Sequence, residues 1–587
     1  MNKEISISNN KAILNFSKAF FNNTDDLLRS DGFYEVLRSF VKFHKDNHTR
    51  IYTYLEKFFR ASDIDQLSNE LRDITKILTV MTLDEISEKI NKYHDLNKER
   101  DALIRIVEDM YDYWRKIERY SIIEKNADKE GLEVENFLGS NIRFKDMILE
   151  IYRKVEVSIT GENPKVFRQV PAGANSSVIV RKSKIDYPEY LKWLNKIPFI
   201  TKVMIETPYI TYTKSNKRDG FFKEVFDNPI ENIEIDTDEY LCYPAKIADN
   251  LIYVYFHQNY ITHGISASNL FELCDEEEAI NTKPDGIYLF GVKDDRDLDI
   301  FYEDKENDLF IGYCNFCDKK DYFGYLKKMC LTLNNIISMK RGFLPIHGAG
   351  VNVVLQNGKS ANIVILGDSG AGKSESIEAF RSLAKEYIRD MTVIFDDMGS
   401  FRLSGNKVLA YGTEIGAFVR LDDLDSGYAF KQIDRSIFMN PDKVNARLIM
   451  PVADHKQIME GYHVDFFLYA NNYDKLEEDE KSISLFENEE EAIKVFKEGA
   501  RMAKGTTTEE GLVKSYFANP FGPYQKQEMC DELIKEYFDK LFENKIKVGT
   551  IRTQLAIDNM ESEGPKKSAR ELFEIIKSGM DTINSAV

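Results

Sequence analysis

The chain has few cysteines, no long apolar run and no excess of positive charge. Its 587 residues include six cysteines and begin with a polar stretch, so we expect reduced thiols in a cytoplasmic protein rather than a disulfide framework. An apolar run long enough to cross a bilayer is missing. The net charge of −19 argues against a general nucleic-acid binder, because phosphate backbones attract clustered Lys and Arg. These absences predict a globular protein with neither a membrane nor a nucleic acid as partner.

The chain is too long for one hydrophobic core, and its pattern changes along its length. Between residues 11 and 126, apolar residues recur at helical spacing with one glycine, Gly32, and no proline. We therefore predict an all-helical (all-α) N-terminal domain over residues 1–145, serving either as a packed bundle or as an arm for self-association or partner binding. Short β-rich runs, namely VEVSITG, SSVIVRK, LIYVYF and GIYLFGV, predict a mixed α/β lobe over residues 146–335. Strands and helices alternate after that, which predicts a nucleotide-binding α/β lobe over residues 336–587.

The segment ANIVILGDSGAGKSESIEAF, residues 361–380, has the pattern of a phosphate-binding loop. Gly367-Asp368-Ser369-Gly370-Ala371-Gly372-Lys373-Ser374 matches G-x-x-x-x-G-K-[ST] between a predicted strand and a predicted helix. The glycines allow backbone N–H groups to approach an anion, and the start of the helix favours negative charge. Lys373 is expected to reach the β- and γ-phosphates of ATP, and Ser374 to ligate the Mg²⁺ of the nucleotide.

Two acids follow a second apolar run, about two dozen residues further on. Met391–Phe395 reads as a strand that ends in Asp396 and Asp397. Beside a phosphate loop, carboxylates held by a strand are suited to binding a divalent ion, although such acids also occur in solvated turns. His347 lies upstream in a glycine-rich context, where a single histidine is as compatible with a structural role as with ligation.

The segment DYFGYLKKMCLTLNNIISMKRGFLPIHGAG, residues 321–350, resembles the ATP-type phosphoenolpyruvate carboxykinases. That family has a Tyr-Ala-Gly-Glu-Met-Lys-Lys segment and a Met-His motif, whose matching positions here are Tyr322, Lys327, Lys328 and His347. Its phosphate loop and paired acids match Gly367 to Ser374 and Asp396-Asp397. GTEIGAFVRLDDL, VNARLIMP and KSYFANPFGPY are similar to three later family segments, and the second places Arg447 at an arginine that binds substrate phosphate. The resemblance covers about residues 320–560 and implies an α/β protein with the carboxykinase-like P-loop fold, in which mixed sheets pack with helices.

The resemblance also implies the roles of the matched residues. Lys328, His347 and Asp397 would bind a catalytic Mn²⁺, while Asp396 would support the metal cluster that includes the Mg²⁺ of ATP. Lys327 and Lys373 would neutralise charge on the transferred phosphoryl group. The implied reaction converts oxaloacetate and ATP to phosphoenolpyruvate, CO₂ and ADP, and the choice of ATP over GTP rests on the resemblance alone.

The substrate side departs from the family pattern. The family arginine in Thr-Gly-Arg-Ser-Pro-Lys corresponds to Glu162, for which Arg168 is a possible substitute, and the family arginine before the matched tyrosine is Asp321. In addition, the Gly-Asp-Ser-Gly-x-Gly-Lys-Ser-Glu loop of HPr kinase/phosphorylase is closer to residues 367–375 than the carboxykinase loop. A kinase acting on a hydroxyl of a small molecule or protein, with Asp396 as base, is therefore the alternative. A non-catalytic ATP sensor is a third interpretation.

Overall fold

The computed structural model describes residues 3–18, 21–124, 137–162, 172–231, 233–294, 296–424, 427, 431–477, 480–503 and 511–578, without the side chains of residues 374, 384, 385 and 423. It is a mixed α/β structure. The chain forms two compact units: the first comprises Met1–Ser183, Lys196–Tyr209 and Thr237–Glu239, and the second comprises Lys184–Asn195, Ile210–Asp236 and Tyr240–Val587. The predicted domain boundaries at residues 145 and 335 fall inside the helices Phe137–Thr160 and Phe323–Lys340. No helix in the described part of the chain combines the length and apolarity needed to cross a membrane.

The first unit packs helices against a small sheet. Its described helices are Thr24–Arg29, Asp31–Asp46, Arg50–Phe59, Ile64–Leu78, Leu83–Lys89, Arg100–Lys116 and Phe137–Thr160. Five of them begin after a residue whose side chain accepts a hydrogen bond from the N–H three residues on; these caps are Asn23, Ser30, Thr49, Asp63 and Thr82. The strands lie in the order Ile5–Ser8, Lys11–Asn15, Glu118–Glu124, Ser176–Lys182 and Pro198–Ile205.

The prediction of an all-helical N-terminal domain is wrong, because three strands precede residue 125. Ile5–Ser8 and Lys11–Asn15 form an antiparallel hairpin through a two-residue turn at Asn9 and Asn10. Both asparagines have positive φ, 48° and 62°, as a tight hairpin turn requires, so asparagine takes the place of the glycine that would have marked the turn in the sequence. Conversely, all of the β-rich run VEVSITG except Gly161 lies in the helix Phe137–Thr160, where Val155 and Ile159 are buried one turn apart.

The second unit contains a sheet whose described strands follow the order Tyr240–Ile247, Asn250–His257, Gly286–Val292, Leu309–Asn315, Asp299–Asp304 and Lys223–Val225, with Glu272–Leu273 beside the first. SSVIVRK in the first unit, and LIYVYF and GIYLFGV here, are strands as predicted. The helix Phe323–Lys340 packs between this sheet and the strand Leu344–Leu355 of the next one. It is buried along nearly its whole length, so lysines on it are held in a largely dry environment.

A second sheet of this unit carries residues 367–374, which are called the phosphate loop after their sequence pattern. Its order is Tyr462–His463, Lys407–Gly412, Ile388–Ser404, Leu344–Leu355, Ser360–Leu366, Phe466–Asn471, Lys547–Arg552 and Ile483–Leu485. Among the smaller strands, Gly416–Arg420 and Ile437–Met439 each pair with Arg447–Pro451, and Ala500–Met502 pairs with Leu512–Lys514. Tyr209–Thr211 spans the division between the two units. The described helices are Ile261–Ser266, Glu276–Asn281, Phe323–Lys340, Lys373–Ser382, Ala384–Tyr387, His455–Ile458, Glu489–Glu498, Gln527–Glu543 and Glu563–Ser578.

Candidate active site

The phosphate loop lies where three parallel strands end. Ser360–Leu366, Phe466–Asn471 and Lys547–Arg552 run in the same direction, and their carboxyl ends lead into Gly367, Asn472 and Thr553. This edge is where open α/β sheets bind ligands. The Asn472 amide donates to the carbonyl of Gly370 at 2.9 Å, and the Thr553 hydroxyl donates to the carbonyl of Ala371 at 3.0 Å. The strand before the loop and the helix Lys373–Ser382 after it confirm the predicted local structure.

The loop backbone has the conformation that its glycines permit. Gly370 and Gly372 have φ of 80° and 105°, values that side chains disfavour. A Cβ on Gly372 would also lie 2.6 Å from the Thr553 hydroxyl oxygen. The N–H groups of Gly370, Gly372 and Lys373 donate to no residue that the structure describes. Three backbone N–H groups without a described acceptor at a helix N-terminus form a suitable site for an anion.

Two other loop amides are engaged within the loop itself. The N–H of Ser369 donates to the carboxylate of Asp368 at 2.7 Å, and the N–H of Ala371 donates to the carbonyl of Asp368 at 3.0 Å. Gly367 donates its N–H to the carbonyl of His347 at 3.0 Å, which ties the loop to the neighbouring strand. Ser374 lies in the first turn of the helix, but its side chain, the predicted Mg²⁺ ligand, is outside the described part of the structure.

Four cationic or basic side chains converge on Asp397. Its Oδ2 lies 2.6 Å from Lys327 Nζ and 2.7 Å from Lys328 Nζ, and its Oδ1 lies 3.0 Å from His347 Nε2 and 3.8 Å from Lys373 Nζ. The structure thus brings together the residues that the family resemblance predicted to be neighbours. They reach this point from the helix Phe323–Lys340, the strands Leu344–Leu355 and Ile388–Ser404, and the start of the helix after the loop.

The backbone at Asp397 is strained. The sequence predicted a strand that ends in Asp396 and Asp397, but the strand continues to Ser404, so both acids lie within it. Asp397 has φ of 84°, which is unusual for any residue other than glycine. Such a conformation costs about 1–3 kcal/mol and is found preferentially at functional sites. Opposite these acids, Gly348 pairs with Asp397 and Ala349 with Asp396.

Burial and neighbouring charges set the protonation of this cluster. Burial opposes the charge on Asp397, but Lys327 and Lys328 outweigh it and hold the pKa of the carboxyl well below its usual value. Burial also opposes the charge on Lys327, whose pKa is nevertheless raised by Asp397 and Glu414. For Lys328, burial and the adjacent Lys327 together lower the pKa to about 8. The pair therefore divides into a lysine that stays charged and one that loses its proton readily.

Glu414 is the second acid of the lysine pair. Its carboxylate is completely buried, and Oε1 lies 3.0 Å from Lys327 Nζ. Burial raises the pKa of Glu414 to about 7, against the opposing effect of Lys327. Glu414 belongs to the segment GTEIGAFVRLDDL, which resembles a family motif that contains a glutamate, so the signal for it was present although no role was assigned to it.

His347 is held in the form that suits a metal ligand. Its Nδ1 donates to the carbonyl of Ala518 at 2.6 Å, so Nε2, which lies 3.0 Å from Asp397 Oδ1 and 3.3 Å from Lys373 Nζ, is the nitrogen that a metal ion would use. Burial, followed by Lys373, lowers the pKa of His347, which favours the neutral imidazole. Ala518 itself has positive φ, 48°, and this turn aims its carbonyl at the ring. A hydrogen bond from the second ring nitrogen is the usual arrangement in metal-binding histidines.

A divalent metal bound here would be held by one nitrogen of His347, one oxygen of Asp397 and the amine of Lys328. No group of three or more His, Cys, Asp and Glu side chains in the described ranges is arranged to hold a metal ion, so the lysine is needed as the third ligand. Lys328 qualifies because its lowered pKa makes the neutral amine accessible. Asp396 lies beside the cluster, and burial together with Asp397 raises its pKa.

Two arginines flank the lysine pair across aromatic rings. The Arg447 guanidinium lies 5.1 Å from the Phe418 ring centroid, and Lys327 Nζ lies 5.7 Å from the same ring. The Arg218 guanidinium and Lys328 Nζ both lie against the Phe521 ring, 5.4 and 4.4 Å from its centroid. Within the described part of the chain neither arginine has a carboxylate partner within 4.0 Å, and Arg447 Nε is buried without a hydrogen bond.

The two acids at positions matched to family arginines, Asp321 and Glu162, lie in different surroundings. Asp321 is buried, accepting a hydrogen bond from the Lys214 N–H at 3.0 Å and lying 2.8 Å from His263 Nε2. Glu162 is exposed, immediately after the helix Phe137–Thr160 of the first unit. Arg168 lies outside the described residues. Sequence reasoning missed Arg218, because a single arginine in a loop carries no motif.

No protein-family model matches the chain, and no curated protein matches its sequence. Function is therefore inferred from the geometry of the site and from the resemblance of its motifs.

Proposed function

We propose that this protein is an ATP- and divalent-metal-dependent phosphotransferase of the phosphoenolpyruvate carboxykinase-like group. The observation that carries the proposal is the convergence of Lys327, Lys328, His347 and Lys373 on Asp397 beside a phosphate loop. Phosphoryl transfer needs positioned positive charge more than covalent chemistry, and this arrangement supplies it. We propose oxaloacetate as acceptor, with phosphoenolpyruvate, CO₂ and ADP as products, and ATP, Mg²⁺ and Mn²⁺ as cofactors.

Each residue has a distinct part in this proposal. The Mn²⁺ that His347, Asp397 and Lys328 would hold supplies a Lewis acid, and Mg²⁺ accompanies the nucleotide. Lys373 lies at the start of the helix that follows the loop, where its ammonium group neutralises the β- and γ-phosphates. Lys327 stays protonated against Asp397 and Glu414 and stabilises negative charge that develops on the transferred group.

The acceptor is expected to be an anion. Arg218 and Arg447 form no ion pair with a carboxylate of the described residues, and both lie against rings that also contact the lysine pair. The guanidinium group binds carboxylates through paired N–H groups, so these two side chains suit the two carboxylates of oxaloacetate. Arg218 would thereby supply the positive charge that the chain lacks at Glu162 and Asp321.

A kinase for a hydroxyl acceptor is the second candidate. It requires a carboxylate that can take a proton, and the raised pKa of Asp396, caused by burial and by Asp397, favours that role. The same loop, lysines and metals would serve such a reaction.

A coupled assay distinguishes the two candidates. Purified protein, ATP, Mg²⁺ and Mn²⁺ are incubated with and without oxaloacetate, and phosphoenolpyruvate is measured. We expect oxaloacetate-dependent product that is lost in Lys373→Ala and retained in Lys359→Ala, which removes an exposed lysine from the adjacent hairpin. ATP binding without product would favour the kinase and direct the search to hydroxyl acceptors. Failure to bind any nucleotide would refute phosphoryl transfer altogether.

A further inference from the structure

The phosphate loop contains a buried negative charge of its own. Asp368 is only 7% exposed, and its carboxylate accepts a hydrogen bond from the N–H of the next residue, Ser369, at 2.7 Å. The Arg501 guanidinium lies within ion-pairing distance of this carboxylate, which favours its charged form. An anion at this position is unfavourable for a loop that must receive a polyphosphate, unless a cation compensates it.

Arg501 is a compensating cation that comes from a distant part of the sequence. Its Nε lies 3.2 Å from Oδ2 of Asp368, and the arginine is 4% exposed. Arg501 lies on the strand Ala500–Met502, which pairs with Leu512–Lys514 in a two-stranded hairpin. A buried pair of this kind is costly to break from one side, because the remaining charge is left without a partner in a medium of low polarity.

The same hairpin is attached to the loop a second time, through Asn472. The Asn472 amide nitrogen donates to the carbonyls of Gly370 at 2.9 Å and Met502 at 3.0 Å, and its oxygen accepts the Met502 N–H at 2.9 Å. The strand that carries Arg501 is therefore held in register with the loop by three neutral hydrogen bonds. Loss of the Arg501 charge alone leaves this attachment in place, so the electrostatic part can be tested separately.

We infer that Arg501 is a positioning residue for nucleotide binding, which neutralises Asp368 and fixes it against Ser369 so that the loop accepts phosphate. This inference rests on the proposed function, because it takes the loop to be a nucleotide-phosphate site. With Arg501 removed, the Asp368 carboxylate repels the incoming phosphates. With Asp368 neutralised as well, the carboxylate charge that opposes the phosphates is gone.

The experiment is a double-mutant cycle measured by calorimetric titration of the full chain with ATP and Mg²⁺. The variants are Arg501→Met, Asp368→Asn and their combination, with Arg501→Lys as the conservative change. Lys514→Met is the matched control, since it removes an exposed lysine from the same hairpin that pairs with Glu498 and not with the loop. Adenosine and inorganic pyrophosphate are titrated in parallel as probes of the base and of the phosphates.

We expect Arg501→Met to weaken ATP binding more than about tenfold, with a similar loss for pyrophosphate, because repulsion between like charges is strong in a buried site. Lys514→Met should bind ATP like the wild type, and Arg501→Lys should recover most of the loss. The combined variant should bind ATP within about threefold of Asp368→Asn alone, which is the result that a merely structural role of Arg501 would not produce.

Two results would overturn the inference while leaving the proposed function intact. One is ATP binding by Arg501→Met within about twofold of wild type, and the other is a combined variant that binds no more tightly than Arg501→Met. If Arg501→Met fails to fold, the comparison of the combined variant with Asp368→Asn decides the matter by the same threefold criterion. A wild-type chain that binds neither ATP nor pyrophosphate would refute the proposed function and this inference with it.

Discussion

Replacing Gly372 by alanine tests whether the phosphate loop has the geometry described above. Gly372 has φ of 105°, where an alanine costs about 1–2 kcal/mol of conformational free energy. The added Cβ would lie 2.6 Å from the Thr553 hydroxyl oxygen and 2.9 Å from each of the Cβ and Cγ2 atoms of Thr553. Thr553 has little freedom to move, because its hydroxyl donates to the carbonyl of Ala371 at 3.0 Å. Relieving this overlap adds about 1–3 kcal/mol, the usual cost of overpacking.

Gly370→Ala is the matched control, because it carries the backbone cost without the overlap. Gly370 has φ of 80° in the same loop, and a Cβ built on it meets no atom within 4 Å. We expect Gly372→Ala to lower the free energy of unfolding by about 2–5 kcal/mol and Gly370→Ala by about 1–2 kcal/mol. Urea-induced unfolding of both variants and the wild type, followed by circular dichroism, measures the difference.

ATP affinity provides the functional readout of the same pair. A displaced Gly372 moves the first turn of the helix and Lys373 with it, so binding should weaken more than about tenfold in Gly372→Ala. The reasoning is refuted if the two variants unfold with the same free energy within about 0.5 kcal/mol, since the predicted contact with Thr553 would then be absent.

Three further predictions concern the charged cluster. The pKa of Lys328 is lowered to about 8, so its amine is mostly protonated at pH 7. Because Mn²⁺ must displace this proton to bind the amine, the affinity for Mn²⁺ should rise about tenfold per pH unit up to pH 8 and then level off. A Mn²⁺ titration followed by electron paramagnetic resonance checks this, with Lys328→Met expected to bind weakly and without that slope; a flat wild-type profile would contradict it. Asp397→Asn keeps a residue that tolerates positive φ but removes the counter-ion of Lys327, and should lower the free energy of unfolding by about 3 kcal/mol in urea. The exposed Asp390→Asn in the same strand serves as its control, and equal stability of the two variants would exclude the buried pair. Arg218→Met should raise the KM for oxaloacetate more than about tenfold without changing the KM for ATP, and the opposite pattern would assign Arg218 to the nucleotide.

Local sequence patterns were sufficient for the parts of the site that are contiguous in the chain. The glycines, Lys373 and the apolar run before them predict the strand, loop and helix that the structure contains. Local patterns failed at the N-terminus, where Asn9 and Asn10 make a hairpin turn without glycine, and in VEVSITG, where β-branched residues complete the buried face of a helix. In the helix, tertiary packing outweighs the β preference of these residues, whereas the hairpin turn is local and is marked by asparagine instead of glycine.

The arrangement of charges was decided by the tertiary structure alone. The sequence placed Lys327, His347 and Asp397 in separate motifs, and only the packing of their helix and strands brings them within hydrogen-bonding distance. Arg501 lies 133 residues from Asp368, and no periodicity or motif connects them. Protonation follows from burial and from neighbours in space, so the contrast between Lys327 and Lys328, adjacent in sequence and opposite in pKa shift, exists only in the folded protein. The sequence by itself determined a glycine-rich loop between a strand and a helix, and the tertiary structure determined which charges surround it, because electrostatic interactions depend on distance and burial rather than on order along the chain.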